Sequence, residues 1–251
     1  MTALPFKRMV IRFHQGAGPS GERIRLAAQL ASAWQVELVG AIDPDPNLGR
    51  IAQLPASREY RLHERRWNAL ETATVTSDLS AMSRMFERSF SEMVRSVNAK
   101  GRFVFDGGIE DSDLLLVGEP ESPLEQLCQS FRDAILRALQ SSRPVMVLPR
   151  RIDRGRGPVL VITREPGDPL HSLGSDLAVA LGETVRTLEE PAGETAASLI
   201  ERIEAMAPRL VVLPRKGLAE PGETLCIVAR ACRIPLLVAG ENRQSESPGS
   251  D

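Results

Sequence analysis

Side chains suited to redox, metal and stacking chemistry are scarce in this chain of 251 residues, which has three cysteines, three histidines, one tyrosine, two tryptophans and seven phenylalanines. His14, His63 and His171 are scattered, and none sits at helical spacing from a carboxylate or a cysteine, so no metal site is expected. Cys128, Cys226 and Cys232 are odd in number and fall in helix-like segments, which reads as reduced thiols in a cytoplasmic protein. Few aromatic rings leave few platforms for stacking the bases of single-stranded nucleic acid. A formal net charge of -2 gives no global attraction to nucleic acid or an anionic membrane. No apolar run approaches the roughly 20 residues that cross a bilayer. The opening MTALPFKRMVIRF lacks the apolar core and cleavage site of a signal peptide. No nucleophile, base and orienting group fall into a recognisable pattern, so no catalytic residue is assigned and an enzyme is not expected.

What is present is an ending that occurs twice. DSDLLLVG leads through a helical stretch to SSRPVMVLP. PRLVVLP leads through a shorter one to CRIPLLVAG. Each is an apolar run, a loop, an amphipathic helix and an apolar run opened by proline, Pro144 or Pro235. This is the pattern of a duplicated and diverged unit. The boundaries follow: a first domain over 1–150, a shortened second over 158–240, and a tail over 241–251 rich in Ser, Glu, Gly and Pro that is expected to be disordered. Arg150–Gly157, basic and without periodicity, reads as the linker; a solvated hinge and an anion site are both compatible with its arginines.

Within the first domain, Met9–Phe13 reads as a strand, Glu22–Trp34 as a helix and Val36–Ile42 as a strand, the order of a right-handed βαβ unit in a parallel sheet. Arg58–Glu71 has helical propensity with Tyr60, Trp67 and Leu70 as its few anchors. The β-branched run Thr72–Thr76 is expected to interrupt it. A new helix should run from Ser77 or Asp78 to about Asn98, with Leu79, Met82, Phe86, Phe90, Met93 and Val97 along one face. That stripe reads as core-facing, with a partner groove as the alternative. Strands are expected at Phe103–Phe105, Leu114–Val117 and Val145–Leu148, and a helix at Leu124–Leu139. The second domain repeats the plan: strands at Pro158–Ile162, Thr184–Leu188, Leu210–Leu213 and Leu236–Val238, and helices at Leu170–Leu181, Glu194–Met206 and Glu223–Cys232.

These residues resemble the universal stress protein family in its tandem form, on RLAAQLASAWQVELVGAID, DSDLLLVG, SSRPVMVLP and CRIPLLVAG. The resemblance spans nearly the whole chain. It implies two flavodoxin-like, doubly wound parallel α/β sheets. It also implies an intrachain pseudo-dimer in which the two fifth strands lie antiparallel; a homodimer of the whole chain is a further possibility. Each half departs from the family: the first has only a loop between its third and fourth strands, and the second lacks the long helical region.

Nucleotide-binding members of that family place an acidic residue at the end of strand one and a loop G-x2-G-x9-G followed by Ser or Thr after strand four. Glycine lets backbone N–H groups approach phosphate, and the next helix N-terminus attracts the charge. In the first half, strand one ends at Phe13-His14-Gln15, and Gly118 leads into Glu119-Pro120-Glu121. Carboxylates repel a triphosphate and prolines remove donors, so ordinary ATP binding is not expected there. In the second half, Gly217 and Gly222 can stand for two of the glycines, Thr224 is near the hydroxyl position, and Arg215 and Lys216 could bind phosphate as charges. ATP or a related nucleotide is therefore possible over Arg215–Thr224. A competing motif, Gly16-Ala17-Gly18-Pro19-Ser20-Gly21, fits G-x-G-x-x-G with Asp43 ending the next strand.

Three readings follow. The leading one is a universal-stress-type regulatory protein of stress adaptation, working through binding, without a cofactor. The second is a nucleotide or phosphate sensor using Arg215–Thr224. The third is a dinucleotide-dependent oxidoreductase using Gly16–Gly21.

Overall fold

The computed structural model describes residues 4–13, 21–42, 46–61, 64–105, 110, 113–120, 130–163, 168–189, 195–215 and 220–240. Nine strands form one sheet, in the order β5-β2-β1-β6-β7-β11-β10-β8-β9. The first half supplies β1 (Arg8–Phe13), β2 (Glu37–Ile42), β5 (Gly101–Phe105), β6 (Asp113–Gly118) and β7 (Val145–Leu148). The second supplies β8 (Val159–Thr163), β9 (Val185–Glu189), β10 (Leu210–Pro214) and β11 (Leu236–Ala239). All strands within a half are parallel. The halves meet where β7 runs antiparallel to β11, with Val147 opposite Leu236, Met146 opposite Leu237 and Val145 opposite Val238.

Alternation along these central strands divides the core into two layers. Met146, Leu148, Leu237 and Ala239 face one side of the sheet. Val145, Val147, Leu236 and Val238 face the other. Strands buried on both faces must be apolar throughout, which is why VMVL and LLVA carry no polar residue. Over the first face lie α1 (Gly21–Trp34), α3 (Thr72–Ser96) and α5 (Pro169–Leu181). Over the second lie α4 (Phe131–Leu139), α6 (Ala196–Met206) and α7 (Pro221–Cys232). The helix starts are chosen locally: Ser130, Asp168 and Thr195 each accept a backbone N–H of the first turn, satisfying donors that a helix cannot pair internally. This is the doubly wound α/β architecture read from the sequence. Among the described residues, the second half has no strand in the position that β5 occupies in the first.

Two expectations are corrected between β2 and β5. Arg58–Glu71 is not helical: Arg58–Arg61 (β3) and Arg66–Ala69 (β4) form an antiparallel hairpin with Tyr60 opposite Trp67. Arg61 is ion-paired to Glu59, and Glu64 to Arg66, so charges that suggested a helix surface stabilise a two-stranded ribbon instead. The run Thr72–Thr76 does not stand between two helices but is the first part of α3 (Thr72–Ser96), ahead of the start expected at Ser77 or Asp78; the Thr76 hydroxyl donates to the Thr72 carbonyl, an internal partner that helices grant to threonine. A short helix, α2 (Pro46–Ala52), precedes the hairpin. The Met/Phe stripe of α3 faces the core, with Phe86 and Phe90 buried and Met82, Met93 and Val97 packed beside them. Phe13, Phe86, Phe90 and Phe103 form a ring cluster. Gly40 makes room for it, since a Cβ there would lie 2.8 Å from the Phe90 ring.

Candidate functional site

The carboxyl end of β6 is where a parallel sheet of this kind offers ligand sites. The first half closes that position with its own side chains. Arg23, in the first turn of α1, lies over Gly118 so closely that a Cβ on Gly118 would fall 2.4 Å from the Arg23 Cδ. Its guanidinium donates to the Glu119 carbonyl at 2.7 Å. The Glu119 carboxylate turns to the opposite face of the sheet, accepting the Arg150 N–H at 3.0 Å and Arg230 Nε at 2.8 Å. Arg230 in turn sits over the Phe131 ring, a cation–π arrangement. The sequence argument for Glu119 was electrostatic repulsion of phosphate; its carboxylate instead faces Arg230, and the side chain over Gly118 is that of Arg23. Glu121 lies outside the described residues.

In the second half, Arg215 follows β10 and its guanidinium turns inward. It donates to the carbonyls of Leu139, Ser141 and Arg143. These belong to the end of α4 and the segment after it, where a helix leaves acceptors unpaired. Burial pushes the guanidinium down from its ordinary range, and Nε is buried without a hydrogen-bond partner. Arg215 is thus a tie between the halves, with its Nη1 and Nη2 donors on backbone carbonyls. Gly222 is buried under Leu136 of α4, and a Cβ there would lie 2.5 Å from the Leu136 Cγ. Glycine at this position lets α4 and α7 approach. Thr224 is half-buried in the first turn of α7. Lys216 and Gly217 lie outside the described residues, so Arg215, Gly222 and Thr224 are the members of the expected loop that can be located.

Of the remaining candidates, two cysteines and one histidine lie among the described residues. Cys226 and Cys232 are buried free thiols. Burial raises both pKa values, that of Cys232 to about 11, which disfavours the thiolate that nucleophilic chemistry needs. His171 is exposed on α5. Cys128, His14, His63, Gly16–Ser20 and Asp43 lie outside the described residues, while Gly21 opens α1. Among the described residues no group of His, Cys, Asp and Glu is arranged to hold a metal ion. None of the described helices is long and apolar enough to cross a membrane.

Sequence reasoning missed Arg23 and Arg230. Their common partner Glu119 is 96 and 111 residues away along the chain, beyond the reach of any local motif.

The class defined by this arrangement is a doubly wound α/β protein made of two joined halves. Solved structures narrow it to the fold of the universal stress proteins. One from Archaeoglobus fulgidus superposes with a TM-score of 0.60 at 9% identity, over 97% of this chain and 100% of that one. A Pseudomonas aeruginosa protein described as a universal stress protein superposes with a TM-score of 0.50 at 12% identity, over 94% of each chain. A functionally unknown protein from the same species gives 0.51 at 12% identity, over 94% of this chain and 93% of that one. At such identities the likeness is one of fold. No protein-family model matches the chain, and no curated protein matches its sequence.

Proposed function

We propose that this chain is a universal-stress-type regulatory protein that acts by binding and not by catalysis, and that its first half does not hold ATP as glycine-loop members do. The observation that carries this reading is Arg23 lying over Gly118, with the next residue, Glu119, held by Arg23, Arg150 and Arg230. A phosphate cradle needs backbone N–H groups open to the ligand. Here the approach over the glycine is filled by a side chain of the same domain. The β7–β11 pairing supports treating the two halves as an intrachain pseudo-dimer whose relative position is fixed.

Amide exchange of the full chain tests this. ATP should give no added protection at Val117–Glu119, and no phosphate should be released on prolonged incubation. Protection of those amides, or turnover above a buffer control, overturns the reading.

A further inference from the structure

Beside the contact between α1 and α5, a cleft of about 520 Å3 opens between the two halves. Its lining includes Arg23, Arg25, Arg150, Arg154 and Arg209, against one carboxylate, Glu22. Four positive charges in excess therefore line one concavity of a chain whose formal net charge is -2.

The arginines come from separate parts of the sequence. Arg23 and Arg25 are on α1, Arg150 and Arg154 on the segment joining β7 to β8, and Arg209 immediately before β10. Two are engaged: Arg23 with the Glu119 carbonyl, and Arg209 with Glu183 at 3.4 Å. Among the described residues, the side chains of Arg25, Arg150 and Arg154 have neither an ion pair nor a hydrogen bond. Like charges gathered in a cleft repel one another and focus a positive field into it. Guanidinium forks match the oxygens of phosphate and carboxylate. Leu26, Ile152 and Leu181 supply apolar wall between them. The volume is that of small-molecule sites, roughly 300–1,000 Å3.

We propose that this cleft binds a small polyanion, a molecule carrying two or more phosphate or carboxylate groups. Arg25, Arg150 and Arg154 are its direct ligands, and Arg23 and Arg209 add to the field. The site goes beyond the function proposed above and adjoins Glu119 at the exit of β6, which Arg23 and the Arg150 N–H hold. Because the ligand would touch both halves and the segment joining them, binding fastens the two halves to each other.

Calorimetry on the full chain at low ionic strength, with pyrophosphate, ADP and citrate as probes, tests the proposal. At least one should bind, more weakly as salt is raised. Pyrophosphate and ADP binding without citrate assigns a phosphate ligand; the converse assigns a carboxylate. The R25A/R150A/R154A variant should bind about a hundredfold or more weaker, since each charge-assisted contact is worth roughly tenfold or more. Its thermal midpoint without ligand should equal or exceed that of the parent, because repulsion has been removed. Should the triple variant fail to fold, Arg154→Ala alone should show about a tenfold loss. Failure of all three probes to bind at millimolar concentration, or unchanged affinity in the variants, overturns the proposal. ATP that protects Val117–Glu119 equally well in the triple variant would instead count against the function proposed above.

Discussion

Arg8 and Asp113 face each other across the β1–β6 pair, with Nε to Oδ1 and Nη2 to Oδ2 both at 2.7 Å. Asp113 is fully buried, and the Glu110 N–H also donates to its Oδ2 at 2.7 Å. A charge is tolerated at the start of a buried strand because a fork of matching geometry meets it. Asp113→Ala takes away the buried partner of Arg8 and leaves it only the exposed Glu110 carboxylate at 2.8 Å, and should cost about 3 kcal/mol, the low end for breaking a buried pair. Arg8→Met with Asp113→Leu should recover much of that loss. Urea unfolding of the three proteins checks both statements; a single variant within about 1 kcal/mol of the parent would refute them.

Arg215→Ala should reduce stability by about 1.5–3 kcal/mol, the range for hydrogen bonds made by a charged group. Arg215→Lys should rescue little, because an ammonium cannot span three carbonyls as a planar fork does. Thermal unfolding measures the loss. Phosphate affinity in the same variants should be unaltered; a large fall in affinity with stability intact would return Arg215 to the role of ligand.

Val147 faces Leu236 in the antiparallel seam and is fully buried. Val147→Asp places an unpaired carboxylate there and should cost at least about 3 kcal/mol, or expose edges that associate. Denaturant titration with light scattering reads both outcomes. A stable, monodisperse Val147→Asp protein would mean the seam contributes little to holding the halves together.

The hairpin should loosen in acid. The Asn68 amide and Arg66 hold the Glu64 carboxyl down from 4.5 to about 2. A depressed folded-state pKa means the stabilisation is complete above the ordinary value and is lost as pH falls through the folded one. The Tyr60–Trp67 ring contact, with centroids 5.3 Å apart, should therefore weaken between about pH 4.5 and 2. The two tryptophans give separate indole N–H resonances, and that of Trp67 should titrate in this window. If Glu64→Gln titrates the same way, Glu64 is not the cause.

The elements legible in the sequence were those whose residues answer to burial alone. VMVL and LLVA, each opened by proline, could only be strands covered on both faces, and α3 announced its buried side through Phe86 and Phe90. The hairpin was not legible, because Arg and Glu favour helices when read singly and Tyr60 gains its partner Trp67 only after the chain reverses. The helical start at Thr72 was hidden for a related reason: the hydroxyl that weakens a free helix finds a carbonyl one turn back. At the candidate loops, the sequence could report which glycines were missing. It could not report that Arg215 turns inward or that Glu119 is shared by three arginines, since those facts depend on which distant segments the sheet brings together.

The reversal of strand direction at β7 and β11 has a consequence for how the molecule can change. Each rim of the sheet carries the loops leaving the strands of one half and those entering the strands of the other. Were the halves two copies of one chain, a substitution would appear on both rims at once. Covalent fusion removes that bond of symmetry. One rim can be fastened shut, as Arg23 and Glu119 fasten the exit of β6, while the opposite rim keeps an independent course.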